Sequence, residues 1–178
     1  SFSSILRTSL RQDPDILMVG EMRDQETVEN GLRGALTGHL VLSTLHTNDA
    51  ITSALRLIDM GAAGFLVGSS LRAVVAQRLV RRVCDSCPEE YTLTSQELFW
   101  LMNLAGEGVK EQKFMRGKGC QSCNHTGYKG RIGVFELLEM NDAMMAALKK
   151  DDAEAFTQLS KQNPTFVPLA KAAYDYAT

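Results

Sequence analysis

Residues 13–24 read Asp-Pro-Asp-Ile-Leu-Met-Val-Gly-Glu-Met-Arg-Asp, and this stretch decides the fold class. Ile16 to Val19 form an unbroken apolar run between turn formers, which suits a buried strand of a parallel sheet. Gly20 and Glu21 follow at the carboxyl end, the side on which open α/β sheets bind ligands. Downstream, Val28, Leu32, Ala35 and Leu36 recur at helical spacing between Gln25 and Thr37, and Gly38 closes the segment. Leu40 to Leu45 is the next strand candidate. Asn48 or Asp49 then caps a helix carrying Ile51, Ala54, Leu55 and Ile58, which stops at Gly61. Strand, helix, strand, helix in that order is a βαβ unit with a parallel sheet. Residues 2–11, upstream of Pro14, read as a short helix.

The rhythm is less regular further on. Residues 65–83 look helical with a final extended piece. A helix is expected near Gln96 to Leu104, a glycine-rich stretch from Gly117 to Gly133, and a strand from Ile132 to Leu138. The rest, from 141 to 178, reads as helices broken at Pro164, with Met140, Met144 and Met145 in the core. The bulk figures fit a soluble globular chain: 44% hydrophobic residues, 22% charged, net charge −2 and pI about 5.9. That balance disfavours nucleic acid, whose binders carry a basic stripe. No apolar run approaches the roughly 20 residues a membrane span needs. With no signal peptide at the start, a reducing compartment is expected. The chain opens at Ser1 without Met and reads as a fragment of something longer.

Three groups of residues carry chemistry. Glu21 can orient a water attacking a nucleoside triphosphate, or it can be a surface carboxylate opening a turn with Arg23 and Asp24 solvated beside it. In "GHLVLSTLHTND", residues 38–49, His46 leaves the second strand at its carboxyl end, with Thr44 and Thr47 beside the exit. A histidine there can report a terminal phosphate. His39 sits at the opposite end of the strand and is the weaker candidate for a nucleotide contact; Thr44 is the better one. The four cysteines fall into two CxxC pairs, Cys84/Cys87 and Cys120/Cys123. Two such knuckles supply the four thiolates of a tetrahedral, structural Zn²⁺ site, with a redox dithiol and two disulfides as competing readings. His125 is a spare ligand or a loop residue. The basic run Arg72, Arg78, Arg81 and Arg82 is a solvated face or a charge-complementary subunit contact.

Taken together, residues 10–27, 37–50, 77–84 and 130–140 and the paired CxxC motifs resemble the bacterial secretion ATPases that drive type II secretion and type IV pilus assembly. The resemblance implies the C-terminal part of a RecA-like P-loop NTPase core with a tetracysteine zinc module and a helical C-terminal region. It divides the chain into residues 1–83 (the C-terminal half of the core), 84–131 (the zinc module) and 132–178 (a final core strand and closing helices). Ile16 to Glu21 match the family's Walker B motif with Glu21 as its catalytic glutamate, and His46 matches the residue that senses the terminal phosphate. The parent would be a cytoplasmic homo-hexamer, held at the inner membrane through a platform protein and hydrolysing Mg·ATP to add pilin or pseudopilin subunits to a fibre. The tetracysteine module marks the assembly and secretion branch, including the mannose-sensitive haemagglutinin pilus type, over retraction motors. No G-x-x-x-x-G-K-[ST] loop occurs, so half an active site and an inactive isolated chain are expected. The alternative is a non-catalytic zinc-ribbon adaptor that binds a protein partner.

Overall fold

A computed structural model describes residues 2–178. The chain folds as an α/β protein in two compact units, the first comprising residues up to Ala76 with Leu137–Phe166 and the second Gln77–Glu136 with Val167–Thr178.

In the first unit, helix α1 (Phe2–Ser9) precedes strand β1 (Ile16–Val19), α2 (Gln25–Leu36), β2 (Leu40–Ser43), α3 (Ala50–Asp59) and α4 (Gly64–Ser70). The expected βαβ unit is present: β1 and β2 run parallel, with Ile16 opposite Leu40 and Val19 opposite Ser43. The helix starts follow the sequence. Asp24 caps α2 by accepting from the Thr27 amide at 2.9 Å, and Asp49, rather than Asn48, caps α3 by accepting from the Thr52 amide at 2.7 Å. Each cap satisfies an amide that has no partner inside the helix.

The expectation of a buried first strand needs correcting. Val19 is buried, but Ile16 and Met18 are 60% and 66% exposed, and Leu40 and Leu42 on β2 are exposed as well. A continuous apolar run implies cover on both faces, whereas among the described residues β1 and β2 form a two-stranded sheet. The core lies instead among the helices: Val28 and Leu32 of α2, Ile51, Ala54 and Leu57 of α3, and Leu66 and Val67 of α4 join Leu138, Met144, Leu148 and Phe156 in one cluster. Met144 is fully buried within it and Met140 packs against it, as expected, whereas Met145 is only half-buried and lies outside the cluster.

Helix α4 also ends sooner than its sequence suggests. It stops at Ser70, Leu71 is extended (φ −66°, ψ 126°), and Ala73–Val83 is the long strand β3 rather than a continuation of the helix. Adjacent Val74 and Val75 suit a pleated backbone better than a helix. The pairing partner, β6 (Tyr128–Glu139), lies far away in sequence, so local periodicity gives little warning of it. Two glycines explain why α4 is glycine-rich. A Cβ on Gly64 would lie 2.2 Å from the Leu148 carbonyl oxygen and one on Gly68 2.6 Å from that of Met145, so α4 packs backbone to backbone on α6 (Asp142–Lys149). Helix α7 (Ala153–Gln162) completes this unit.

The second unit contains β4 (Pro88–Tyr91), α5 (Ser95–Ala105), a 3₁₀ turn, β5 (Phe114–Gly117) and the closing helix α8 (Leu169–Asp175). β4 and β5 pair antiparallel, with Pro88 opposite Gly117. Helix α5 opens with a reciprocal cap: the Thr94 amide donates to Glu97 and Thr94 Oγ1 accepts from the Glu97 amide. The buried Glu136 carboxylate accepts from the Leu169 amide at 2.8 Å, which anchors the first turn of α8.

Candidate functional site

Strands β1 and β2 end side by side, and their exits are tied together. The Thr44 hydroxyl donates to the Gly20 carbonyl at 2.7 Å, and the Met22 amide donates to the Thr44 carbonyl at 3.2 Å. These two bonds fix the backbone on both sides of Glu21. The result brings Glu21 Oε2 to 3.4 Å from His46 Nε2, while Glu21 Oε1 accepts a close hydrogen bond from Arg23 Nη2. Glu21 is 29% exposed and His46 88%. A cleft of about 370 Å³ opens beside them, lined by Gly20, Glu21, Arg23, Asp24 and Thr27. Hydrogen bonding from Arg23 holds the Glu21 carboxyl below the usual carboxylate range, with smaller contributions from the charges of Arg23 and His46. A carboxylate, an imidazole and a guanidinium therefore meet at the carboxyl edge of a parallel sheet.

The sequence candidates separate into two places. Thr44 spends its hydroxyl on Gly20, so in this structure it organises the strand exit. His39 lies at the entrance to β2, where its Nδ1 is 2.9 Å from the Gly34 carbonyl at the end of α2. It does not join Glu21 and His46. Arg23 is the residue that sequence reading left without a role. Its signal was faint: a basic side chain two positions beyond an acid has meaning only once the turn between them is known.

In the second unit all four cysteine sulfurs lie within 4.8 Å of one another. Cys84 and Cys120 are 3.9 Å apart, as are Cys87 and Cys123, while Cys120 and Cys123 are 3.8 Å apart. A tetrahedron of thiolates at a Zn–S distance of about 2.3 Å has S···S edges of about 3.8 Å, so the spacing fits a Cys₄ metal site. It fits disulfides poorly, since that bond brings sulfurs to about 2.05 Å. The knuckle backbone is prepared for thiolates: the amides of Cys120 and Gly127 donate to Cys123 Sγ at 3.2 and 3.3 Å. These bonds hold the Cys123 thiol down to about 6, whereas burial pushes Cys87 up to about 12. Glycine permits the two loops to meet. A Cβ on Gly117 would lie 1.8 Å from the Gly127 oxygen, and Gly127 itself has φ +79°. His125 turns through the left-handed region (φ 60°), its amide donating to Cys120 O at 2.8 Å, and the sulfur cluster closes without it.

The α/β fold is shared with ATPases of known structure. The pilus retraction motor PilT with bound ADP superposes with a TM-score of 0.64 at 27% identity, covering 99% of this chain and 39% of that one. The Legionella pneumophila ATPase DotB, at 20% identity and a TM-score of 0.65, shares the fold. The type II/IV secretion system protein family matches residues 1–173, and the chain belongs to that family. Among curated relatives, type II secretion system protein E of Aeromonas hydrophila is 47% identical over 86% of this chain, and type II secretion system ATPase E of Vibrio cholerae is 46% identical over 86%. The type IV pilus assembly ATPase PilB of Myxococcus xanthus is 43% identical over 81%. The aligned part is 30%, 30% and 25% of those three proteins, respectively.

Proposed function

We propose that these residues form the water-activating part of an ATP-driven motor for type II secretion or type IV pilus assembly. The observation that carries the proposal is the Glu21–His46 pair, 3.4 Å apart at the tied exits of two parallel strands. In this reading Glu21 takes the proton of a water attacking the γ-phosphorus as ADP leaves, and His46 registers the γ-phosphate. Relatives named as ATPases support the chemistry, and the closer identity to secretion protein E and PilB than to PilT supports assembly over retraction. A mannose-sensitive haemagglutinin type pilus is one assembly system that such a motor would serve.

The 178 residues contain no G-x-x-x-x-G-K-[ST] loop to cradle ATP and Mg²⁺, so this chain by itself is proposed to bind nucleotide weakly and turn none over. The motor would work as a cytoplasmic homo-hexamer against an inner-membrane platform protein. Among the described residues, no helix is long and apolar enough to cross a membrane. Residues 1–83 would carry the nucleotide chemistry, 84–131 the metal module and 132–178 the closing strand and helices, a division by role rather than by packing. Cys84, Cys87, Cys120 and Cys123 would hold Zn²⁺. A metal with four thiolates has no open position, so it would hold the loops together and take no part in hydrolysis.

Calorimetric titration of Mg·ATP into the chain, with zinc measured on the same sample, tests both halves. One zinc per chain without micromolar ATP binding is expected. Micromolar binding would mean that a complete phosphate site lies within these residues and would sink the half-site reading.

A further inference from the structure

Glu21 has two side-chain partners in the structure, and both engage the oxygens that a water would have to approach. Arg23 Nη2 donates to Oε1, and His46 Nε2 lies 3.4 Å from Oε2. The Arg23 side chain is 75% exposed and reaches back across a turn of one residue, Met22, whose amide is pinned to the Thr44 carbonyl. Both side chains therefore leave a fixed stretch of backbone. The other acid lining the cleft, Asp24, is occupied with the Thr27 amide and hydroxyl at 2.9 and 3.0 Å and does not compete for the guanidinium.

We propose that Arg23 is a positioning residue that latches Glu21 in a resting pose, and that water activation requires Arg23 to release it. The inference rests on the reading of Glu21 as the water-activating group. A carboxylate paired with guanidinium is a weaker base, because the charge that would draw a proton from water is already engaged. His46 Nε2 lies against the other oxygen of the same carboxylate, 3.4 Å away. The pair lies at the surface, where an ion pair biases a side chain without locking it. Phosphate oxygens offer guanidinium a stronger, bidentate partner than one carboxylate oxygen does. A nucleotide entering the cleft would thus draw Arg23 away and free Glu21 when there is something to hydrolyse. The latch makes the base available only in the occupied site.

The test has two readouts. In the 178-residue chain with labelled glutamate, Glu21 is assigned by Glu21→Gln and its carboxyl is followed by NMR through an acid titration. It should titrate below the ordinary 4.5, return close to that value in Arg23→Gln and fall between the two in Arg23→Lys. In a longer polypeptide that carries the phosphate-binding loop, Arg23→Gln should raise KM for ATP about two- to fivefold, the range that an exposed ion pair supports, because its phosphate contact is lost. Turnover at saturating ATP should change little, because nucleotide has already drawn Arg23 from Glu21. The acid limb of the kcat/KM profile, which reports the free site, should move up with the Glu21 titration, and that of kcat should stay where it is. An unchanged Glu21 titration in Arg23→Gln would overturn the latch. So would turnover that falls in Arg23→Gln and recovers in Arg23→Lys, since Arg23 would then be assisting hydrolysis. Full turnover in Glu21→Gln would instead remove the underlying reading of Glu21, while the titration would still decide whether Arg23 clamps it.

Discussion

At the scale of single residues, Glu21 shows how little an acid after an apolar run says by itself. Its place in the candidate site comes from Thr44, whose hydroxyl holds the Gly20 carbonyl, and from His46 on the neighbouring strand. Two outcomes follow. Glu21→Gln, in a polypeptide completed by a phosphate-binding loop, should lower ATP turnover by about 10²–10⁴-fold, the usual contribution of a positioned general base, with nucleotide affinity little changed; steady-state kinetics beside equilibrium binding would check this. Thr44→Val keeps the shape and removes the donor to Gly20. Its expected signature is a turnover loss smaller than that of Glu21→Gln, with the exchange of the Met22 amide accelerated.

At the scale of elements, the fold depends on caps and on close backbone approach. Asp24→Ala removes the partner of the Thr27 amide at the start of α2 and should cost about 1 kcal/mol in urea unfolding, the usual loss for such a cap. The glycines are less forgiving. Gly117→Ala would drive a methyl group into the Gly127 carbonyl, 1.8 Å from an ideal Cβ, and flexible side chains cannot absorb that because both groups are backbone. The expected result is loss of stoichiometric zinc, measured by elemental analysis, with the helical signal of the first unit retained. These elements also show where sequence reading was strong and where it stopped. Helices α2 and α3 were legible because apolar spacing, cap and terminal glycine agree. β3 was not, since Gln77 to Val83 contains no clean alternation and its partner β6 is remote in sequence. The exposure of Ile16 and Met18 was equally hidden, because an apolar run says that cover is favoured and not whether it is present.

For the whole molecule, the zinc-free chain should respond to pH through its thiols. Cys123, held down to about 6 from an ordinary 9.0, contributes stability that is full above 9 and is lost as pH falls toward 6. Cys87, pushed up to about 12, contributes stability that is full below 9 and is lost as pH rises toward 12. The chelated chain should therefore be most stable near pH 9, with a melting temperature that rises between pH 6 and 8; a flat profile would contradict this. Zinc should raise stability throughout that range, and hydrogen exchange should show protection at the knuckles around Cys84 and Cys120.

Pattern along the chain was enough for the α/β class, the paired strand exits, the tetrathiol set and the family, because each rests on residues close together in sequence or on spacings that few other structures share. Packing decided which strand faces are covered, that residues 73–83 pair with β6, and that Glu21 meets Arg23 and His46 together. Those outcomes depend on pairings between distant segments, whose energies appear only when the chain has closed on itself.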